Sequence, residues 1–177
     1  HVETLPCERH VVVTTDTANK QELLRKALRA RGERSFEVRL VESNAGRDIS
    51  AFLITCADVL RDDQFDVIVK LHSKRSPQDG SVAGNWFKRH LFGNLLHSEN
   101  YSASVLNLLR ERPEIGMAIP PVLHIGYPTM GKAWFGNKKQ AAALCAKLDI
   151  ATPLDESTPL SAYGSMFFAR PAPLRPL

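Results

Sequence analysis

The chain has 177 residues, of which 44% are apolar and 24% are charged, enough to bury one hydrophobic core. Its 23 basic and 19 acidic side chains give a net charge of +4, which is too weak an imbalance for a typical nucleic-acid surface. Three widely spaced cysteines, together with the lack of a long apolar run or a secretory signal, predict a cytoplasmic domain with buried thiols.

The ends of the sequence look like cuts within a longer polypeptide. The chain begins at His1 without a methionine, and it ends directly after a proline-rich segment, residues 170–177. We therefore expect a single domain over residues 1–177 that is a fragment of a larger protein.

Strands alternate with helices along the sequence. Apolar or β-branched runs predict strands over residues 10–15, 36–42, 65–71, 115–119 and 164–170. Apolar residues at helical spacing predict helices that include residues 23–28, 49–60, 86–96, 105–109 and 141–148. Candidate helix caps are Asp16, Thr17, Asn100 and Asn137. This alternation predicts an α/β fold with a single Rossmann-like, largely parallel sheet flanked by helices, and a long loop over 122–136 is a candidate binding loop.

Polar turns follow the first predicted strands, at the edge where parallel sheets usually bind ligands. The first of these turns contains Thr15 and Asp16. The second, residues 44–48, combines a glycine able to adopt positive φ, an arginine able to grip a phosphate and a carboxylate able to accept a ribose hydrogen bond. These residue types favour a nucleotide-binding turn. The alternative is a plain strand-to-helix turn in which Asp48 is an N-cap and Arg47 is solvated.

A basic turn, residues 72–75, follows the apolar strand predicted over 65–71. Its imidazole, hydroxyl and two cations favour binding of a diphosphate without a metal. The alternative is a basic surface turn with a structural histidine. No HxxxH, HExxH or CxxC spacing supports a metal site, and neither a phosphate-binding glycine loop nor a serine-esterase elbow occurs in the sequence.

Two later segments each allow a ligand-binding and a packing interpretation. Trp86 opens a predicted helix, and its ring could stack on a sugar or a base, although core packing is the better explanation. Gly164, in the segment 163–168, could let a ligand approach the backbone. A buried strand with a glycine at its entrance explains this segment nearly as well.

Five motifs occur in a fixed order along the chain. They are ESNAGRDI at 42–49, FDVIVKLHSKRS at 65–76, Trp86 ahead of an apolar helix, PEIGM at 113–117 and GSMFFARP at 164–171. In this order they closely resemble the rhamnan synthesis protein F family over most of the chain. That family is associated with the assembly of rhamnose-containing cell-surface polysaccharide and lipopolysaccharide, and it resembles the glycosyltransferase-A fold.

The resemblance, together with the residue chemistry, implies roles for these turns. The implied nucleotide-sugar-binding residues are Thr15, Asp16, Asn44, Gly46, Arg47, Asp48 and Arg75. The implied catalytic residues are His72 and Lys74, which would assist the departing nucleotide diphosphate where many members of the fold carry an Asp-x-Asp metal motif. The implied acceptor-side residues are Trp86, Gly164, Ser165 and Met166. Because both metal-binding acids are missing, the site is expected to work without a metal or another cofactor.

The general base is not identified by this comparison. In inverting members of the fold, the catalytic carboxylate typically follows the late glycine-containing strand. Asp155 and Glu156 are the only late acids in this chain, and neither is favoured. We therefore expect the base to be absent from this chain.

These features predict a glycosyltransferase that moves rhamnose or a similar sugar from a nucleotide-diphosphate donor to a growing glycan. The expected partners are this donor and the glycan acceptor, without nucleic acid. The expected location is the cytoplasm, with peripheral association of the full-length protein with the inner membrane. Two alternatives remain open: a noncatalytic nucleotide- or glycan-binding module of a polysaccharide-assembly protein, and a metal-free phosphoryl-handling enzyme that uses His72.

Overall fold

A computed structural model describes residues 2–43, 45–73, 80–121, 134, 136–154, 161–162 and 164–177. Several predicted features lie outside these ranges: Asn44, Lys74, Arg75, Asp155, Glu156 and most of the loop predicted over 122–136. The described strands are β1 (Val11–Thr15), β2 (Phe36–Leu40), β3 (Ile68–Lys70), β4 (Met117–Ala118) and β5 (Phe167–Ala169). The described α-helices are α1 (Ala18–Ala30), α2 (Arg47–Ser50), α3 (Ala57–Arg61), α4 (Gly80–Gly93), α5 (Glu99–Glu111) and α6 (Lys138–Lys147).

The described strands form two sheets. Strands β1 and β2 pair in parallel, with Val11 opposite Phe36 and Thr15 opposite Leu40. The second sheet has the order β3-β5-β4, and β5 runs antiparallel to both neighbours. The mixed α/β class is thus confirmed, but the prediction of one largely parallel sheet is wrong for the described strands. Every residue of β5 is buried, and such an apolar run looks the same in sequence whichever way the strand runs.

The helix starts follow local capping chemistry. Thr17 caps α1 as predicted, because its side chain accepts a hydrogen bond from the amide of Lys20. The cap predicted at Asn100 is wrong: Ser98 caps α5 and accepts from the amide of Tyr101. Asn137 does precede α6, but its side chain makes no capping hydrogen bond.

The helix predicted over 49–60 is divided into three parts. Its first turn is α2, a π-helical segment follows over Ala51–Thr55, and α3 completes it. A π-helical segment widens the helix locally and shifts the faces on either side of it. Phe52, within this segment, meets Phe167 of β5 edge-on with ring centroids 5.7 Å apart.

The core lies on both faces of β5. One face contributes Met166 and Phe168 to a cluster that α4, α5 and the connection between them cover with Phe87, Leu91, Leu95, Leu96 and Leu109. The other face contributes Phe167 and Ala169, which pack with Leu60 and Leu174. Because side chains alternate across a strand, this central strand joins the two clusters.

The three cysteines lie in different environments. All three cysteines are unpaired; Cys7 is exposed, whereas Cys56 and Cys145 are half-buried, so the prediction of buried thiols is wrong for Cys7. Burial raises the pKa of the Cys56 thiol. Among the described residues, no helix is long and apolar enough to cross a bilayer.

Candidate functional site

A buried lysine lies at the centre of a polar network. Lys70 is the last residue of β3, and only 4% of its surface is exposed. Its Nζ donates to Oδ2 of Asp48 and to the main-chain oxygen of Ser165, both at 2.6 Å. The ammonium also lies 5.7 Å from the centre of the Phe52 ring. A buried ammonium group requires such partners because it has lost its hydration.

The turn before β5 completes this network. Gly164 and Ser165 both have left-handed backbones, with φ of 85° and 52°. Ser165 Oγ donates to Oδ2 of Asp48 at 2.6 Å, and it lies 3.2 Å from Nε2 of His72. Nε2 of His72 also lies 2.8 Å from the main-chain oxygen of Gly164. Since a carbonyl can only accept, the imidazole carries a proton on Nε2. Asp48, Lys70, His72 and Ser165 are called the polar network below.

Opposing influences act on the carboxyl group of Asp48. Its burial would raise the pKa, but hydrogen bonds from Lys70 and Ser165 and the nearby charges of Lys70 and His72 lower the pKa to about 2. Asp48 is therefore ionised at neutral pH. Its negative charge balances the ammonium of Lys70.

This low pKa predicts a loss of stability in acid. A carboxyl group whose pKa is lower in the folded chain stabilises the fold above its unfolded pKa of about 4, and this contribution is lost as pH falls towards about 2. Other carboxyl groups also have lowered pKa values, so urea unfolding of the wild type and of Asp48→Asn should be compared across this pH range. We expect the difference in unfolding free energy between them to shrink as pH falls. A constant difference would contradict the proposed ionic role.

The turn ahead of Asp48 has an unusual backbone. Gly46 and Arg47 adopt positive φ values of 81° and 53°. The Ser50 hydroxyl donates to the main-chain oxygens of Ala45 and Arg47, at 2.6 and 3.1 Å. Gly46 is the N-cap of α2, so the alternative that Asp48 is only an N-cap is wrong. The carboxylate of Asp48 faces Lys70 instead.

The side chain of Arg47 is exposed, as the same alternative expected. Its guanidinium group makes no ion pair or hydrogen bond with any other residue that the structure describes. The turn thus directs an acid inward and a cation outward. Such an outward guanidinium is available to an anionic ligand.

The first predicted turn lies beside the exit of β2. The main-chain oxygen of Thr15 accepts from the amide of Val41 at 2.8 Å, which carries the parallel pairing one residue beyond β2. The carboxylate of Asp16 pairs with Lys20, one helical turn later, at 2.7 Å, and both side chains are exposed. Asp16 thus contacts the start of α1 in this structure, and its nucleotide contact stays a prediction.

The predicted acceptor-side residues fall in different environments. Trp86 is 64% exposed, so the favoured interpretation that it packs in the core is wrong. The next residue of α4, Phe87, is buried and lies against the Gly164 turn together with Leu91. Met166 is fully buried. The Trp86 side chain therefore lies at the surface, whereas Met166 lies in the core beneath the Gly164 turn.

Sequence reasoning missed Lys70. Its motif was interpreted as an apolar strand that ends in a basic turn, and the lysine inside the strand received no role. The signal was present, because a lysine in a strand buried on both faces needs a charged partner. Among the described residues, no group of three or more histidine, cysteine or acidic side chains could hold a metal ion.

A family model and curated relatives match this chain over most of its length. The family model described as rhamnan synthesis protein F matches residues 1–177. The chain is 32% identical over 173 residues to the uncharacterized protein WxcX of Xanthomonas campestris pv. campestris, in strains B100 and ATCC 33913. These matches cover 94% of the chain but 22% of each relative, so the chain spans about a fifth of their length. No solved structure matches the chain. The chain therefore belongs to the rhamnan synthesis protein F family.

Proposed function

We propose that this chain is the nucleotide-sugar-binding part of a glycosyltransferase that builds rhamnose-containing surface polysaccharide or lipopolysaccharide. The observation that carries the proposal is the polar network, which joins the turn after β2, the end of β3 and the turn before β5. The family, which is named for rhamnan synthesis, supports the substrate class. A glycosyltransferase-A-like arrangement, a cytoplasmic location and peripheral association with the inner membrane are parts of the same proposal.

The charges of the network favour donor binding by residues around it. Lys70 is balanced by Asp48, so this pair holds the turns together and leaves little positive charge for a ligand. The exposed guanidinium of Arg47 is suited to the diphosphate of the donor. Lys74 and Arg75, which lie outside the described residues, would supply the remaining cations. In this proposal no metal is required, because these cations would take its place in neutralising the diphosphate.

His72 is held in a defined orientation near this surface. Its ring contacts the Gly164 carbonyl and the Ser165 hydroxyl through Nε2, and its side chain is 17% exposed. A fixed imidazole beside a diphosphate can stabilise developing negative charge as the nucleotide departs. Trp86, exposed on α4, would offer its ring to the glycan acceptor.

Calorimetry with dTDP, UDP and GDP tests donor binding. The full-length protein, in buffer with EDTA, should bind at least one of these nucleotides, and Arg47→Gln should weaken that binding by about tenfold because one charge-assisted phosphate contact is lost. Arg34→Gln is a matched control, since Arg34 is exposed and precedes β2 whereas Arg47 follows it. No binding of any nucleotide, or an equal effect of the two variants, would exclude this role.

A noncatalytic nucleotide- or glycan-binding module is the second candidate. One observation favours it: the polar groups best suited to chemistry, Asp48 and His72, are engaged with neighbouring residues. A module would need this network only to shape its surface. Transfer of a labelled sugar by the full-length protein, abolished in a His72→Gln variant that still binds nucleotide, would exclude the module.

A further inference from the structure

A polar cavity lies at the amino end of β2, away from the turn that carries Asp48. It has a volume of about 300 Å³ and is lined by Arg25 and Arg29 of α1 and by Phe36, Glu37 and Val38 of β2. This volume is at the lower end of the range for small-molecule sites. The cavity is open to solvent.

The two arginines of this cavity have no protein partner among the residues that the structure describes. Neither guanidinium makes an ion pair or a hydrogen bond with another residue in the described part of the chain. By contrast, three neighbouring cations each pair with an acid: Arg9 with Glu33, Lys20 with Asp16, and Arg39 with Asp58. Arg25 and Arg29 are one helical turn apart, and like charges at this spacing destabilise a helix. An anion held between them would relieve that repulsion.

The other lining residues indicate what the anion is attached to. Phe36 is half-buried and offers an apolar wall. Glu37 lines the cavity as well, but its carboxylate accepts hydrogen bonds from His10 and Arg39 on the other face of β2, because side chains alternate along a strand. An apolar wall beside paired guanidinium groups fits a sugar ring that carries an oxyanion.

The main chain of β2 adds donors to this wall. The amide of Val11 donates to Ser35 and the amide of Val41 to Thr15, so alternate residues of β2 face β1. Phe36 and Val38 therefore direct their main-chain groups to the opposite edge. Gln21 of α1 caps that edge by donating to the oxygen of Val38 at 2.6 Å, which places α1 along it.

We infer that Arg25, Arg29 and Phe36 form a binding site for an acidic monosaccharide unit, with the oxyanion on the two guanidinium groups and the sugar ring beside Phe36. The oxyanion can be a sugar phosphate or a uronate carboxylate, since both offer paired oxygens to arginine. This site is independent of the polar network and of nucleotide binding. It would let the protein hold part of a charged glycan apart from the donor.

Calorimetric titration of the 177-residue chain with small sugars tests this site. Glucose 1-phosphate and glucuronate are the acidic probes, and glucose and inorganic phosphate are the controls. We expect at least one acidic sugar to bind with a Kd of about 1 mM, and more tightly than either control. The Arg25→Gln/Arg29→Gln variant should weaken this binding by about tenfold or more. The Arg110→Gln/Lys147→Gln variant carries the same change in net charge on α5 and α6 and should have no effect.

A third variant guards against misfolding as an explanation. Glu37→Gln removes a negative charge from a lining residue whose carboxylate makes no contact with the ligand, and it should tighten binding by about threefold, an effect that unfolding cannot imitate. Arg47→Gln should leave acidic-sugar binding unchanged even if nucleotide binding is lost, which separates the two sites. Unchanged binding in the double arginine variant, or no binding of either acidic sugar, would overturn the inference. Inorganic phosphate binding as tightly as the acidic sugars would overturn the sugar assignment.

Discussion

Asp48→Asn is expected to lower the free energy of unfolding by about 3 kcal/mol, because it leaves the ammonium of Lys70 buried without a counter-charge. The amide is nearly the same size as the carboxylate and can still accept from Lys70 and Ser165, so the loss reports the charge. Lys70 has 3% of its side chain exposed and Asp48 has 28%, which makes the lysine the costly member of the pair. Urea unfolding at neutral pH measures the change.

The Asp48→Asn/Lys70→Met double variant tests this explanation. With the ammonium removed as well, the buried charge is gone, and we expect the double variant to be more stable than Asp48→Asn alone by about 1 kcal/mol or more. Asp16→Asn is the matched surface control, since it breaks the exposed pair with Lys20 and should change stability far less than Asp48→Asn does. Equal losses for Asp48→Asn and Asp16→Asn would contradict a buried ionic network.

Gly164→Ala is expected to lower the free energy of unfolding by about 3 kcal/mol, through two additive effects. The φ of 85° would be strained in alanine, at about 1 kcal/mol. The new Cβ would also lie 2.7 Å from Cδ1 of Leu91 and 2.9 Å from Cζ of Phe87, and such overpacking costs about 1–3 kcal/mol. Because the carbonyl of Gly164 contacts His72, nucleotide binding by the full-length protein should weaken too.

Gly32→Ala separates the two effects. Gly32 has a similar φ of 76°, but nothing lies within 4 Å of its added Cβ. This variant should therefore lose about 1 kcal/mol, from backbone strain alone. If both alanine variants lost the same stability, the close approach of α4 to the Gly164 turn would not constrain the fold. Thermal or urea unfolding of the two variants in parallel gives the comparison.

The parts of the fold that local chemistry controls could be predicted from the sequence. The cap at Thr17 and the strands around Val11 and Phe36 follow from residue types within a few positions. The direction of β5 could not be predicted, because Phe167 to Ala169 are apolar on both faces and alternation is lost. The π-helical segment was also hidden, since the apolar residues of 49–60 fit a continuous helix nearly as well.

Three of the four residues of the polar network were named from the sequence, but Lys70 and the connections between the four were not. Asp48, His72 and Ser165 were all named from the sequence, on separate turns with separate roles. Lys70 links Asp48 to the Ser165 turn, across sequence separations of 22 and 95 residues. Local patterns carry no information about pairs so far apart. The inward direction of Asp48 depends on the left-handed backbone at Arg47, which a non-glycine residue rarely adopts.

The order of strands in the second sheet has a consequence for how the chain folds. Strands β3 and β4 are both made before β5. They do not pair with each other, because β5 lies between them in the sheet. During synthesis, the edges of β3 and β4 that pair with β5 stay unpaired until residues 167–169 have been made. The Ser165 turn directly precedes β5 and is made at the same stage. The sheet and the polar network are therefore completed in the same late step. Such long-range pairing is slow to form and leaves an intermediate prone to aggregation.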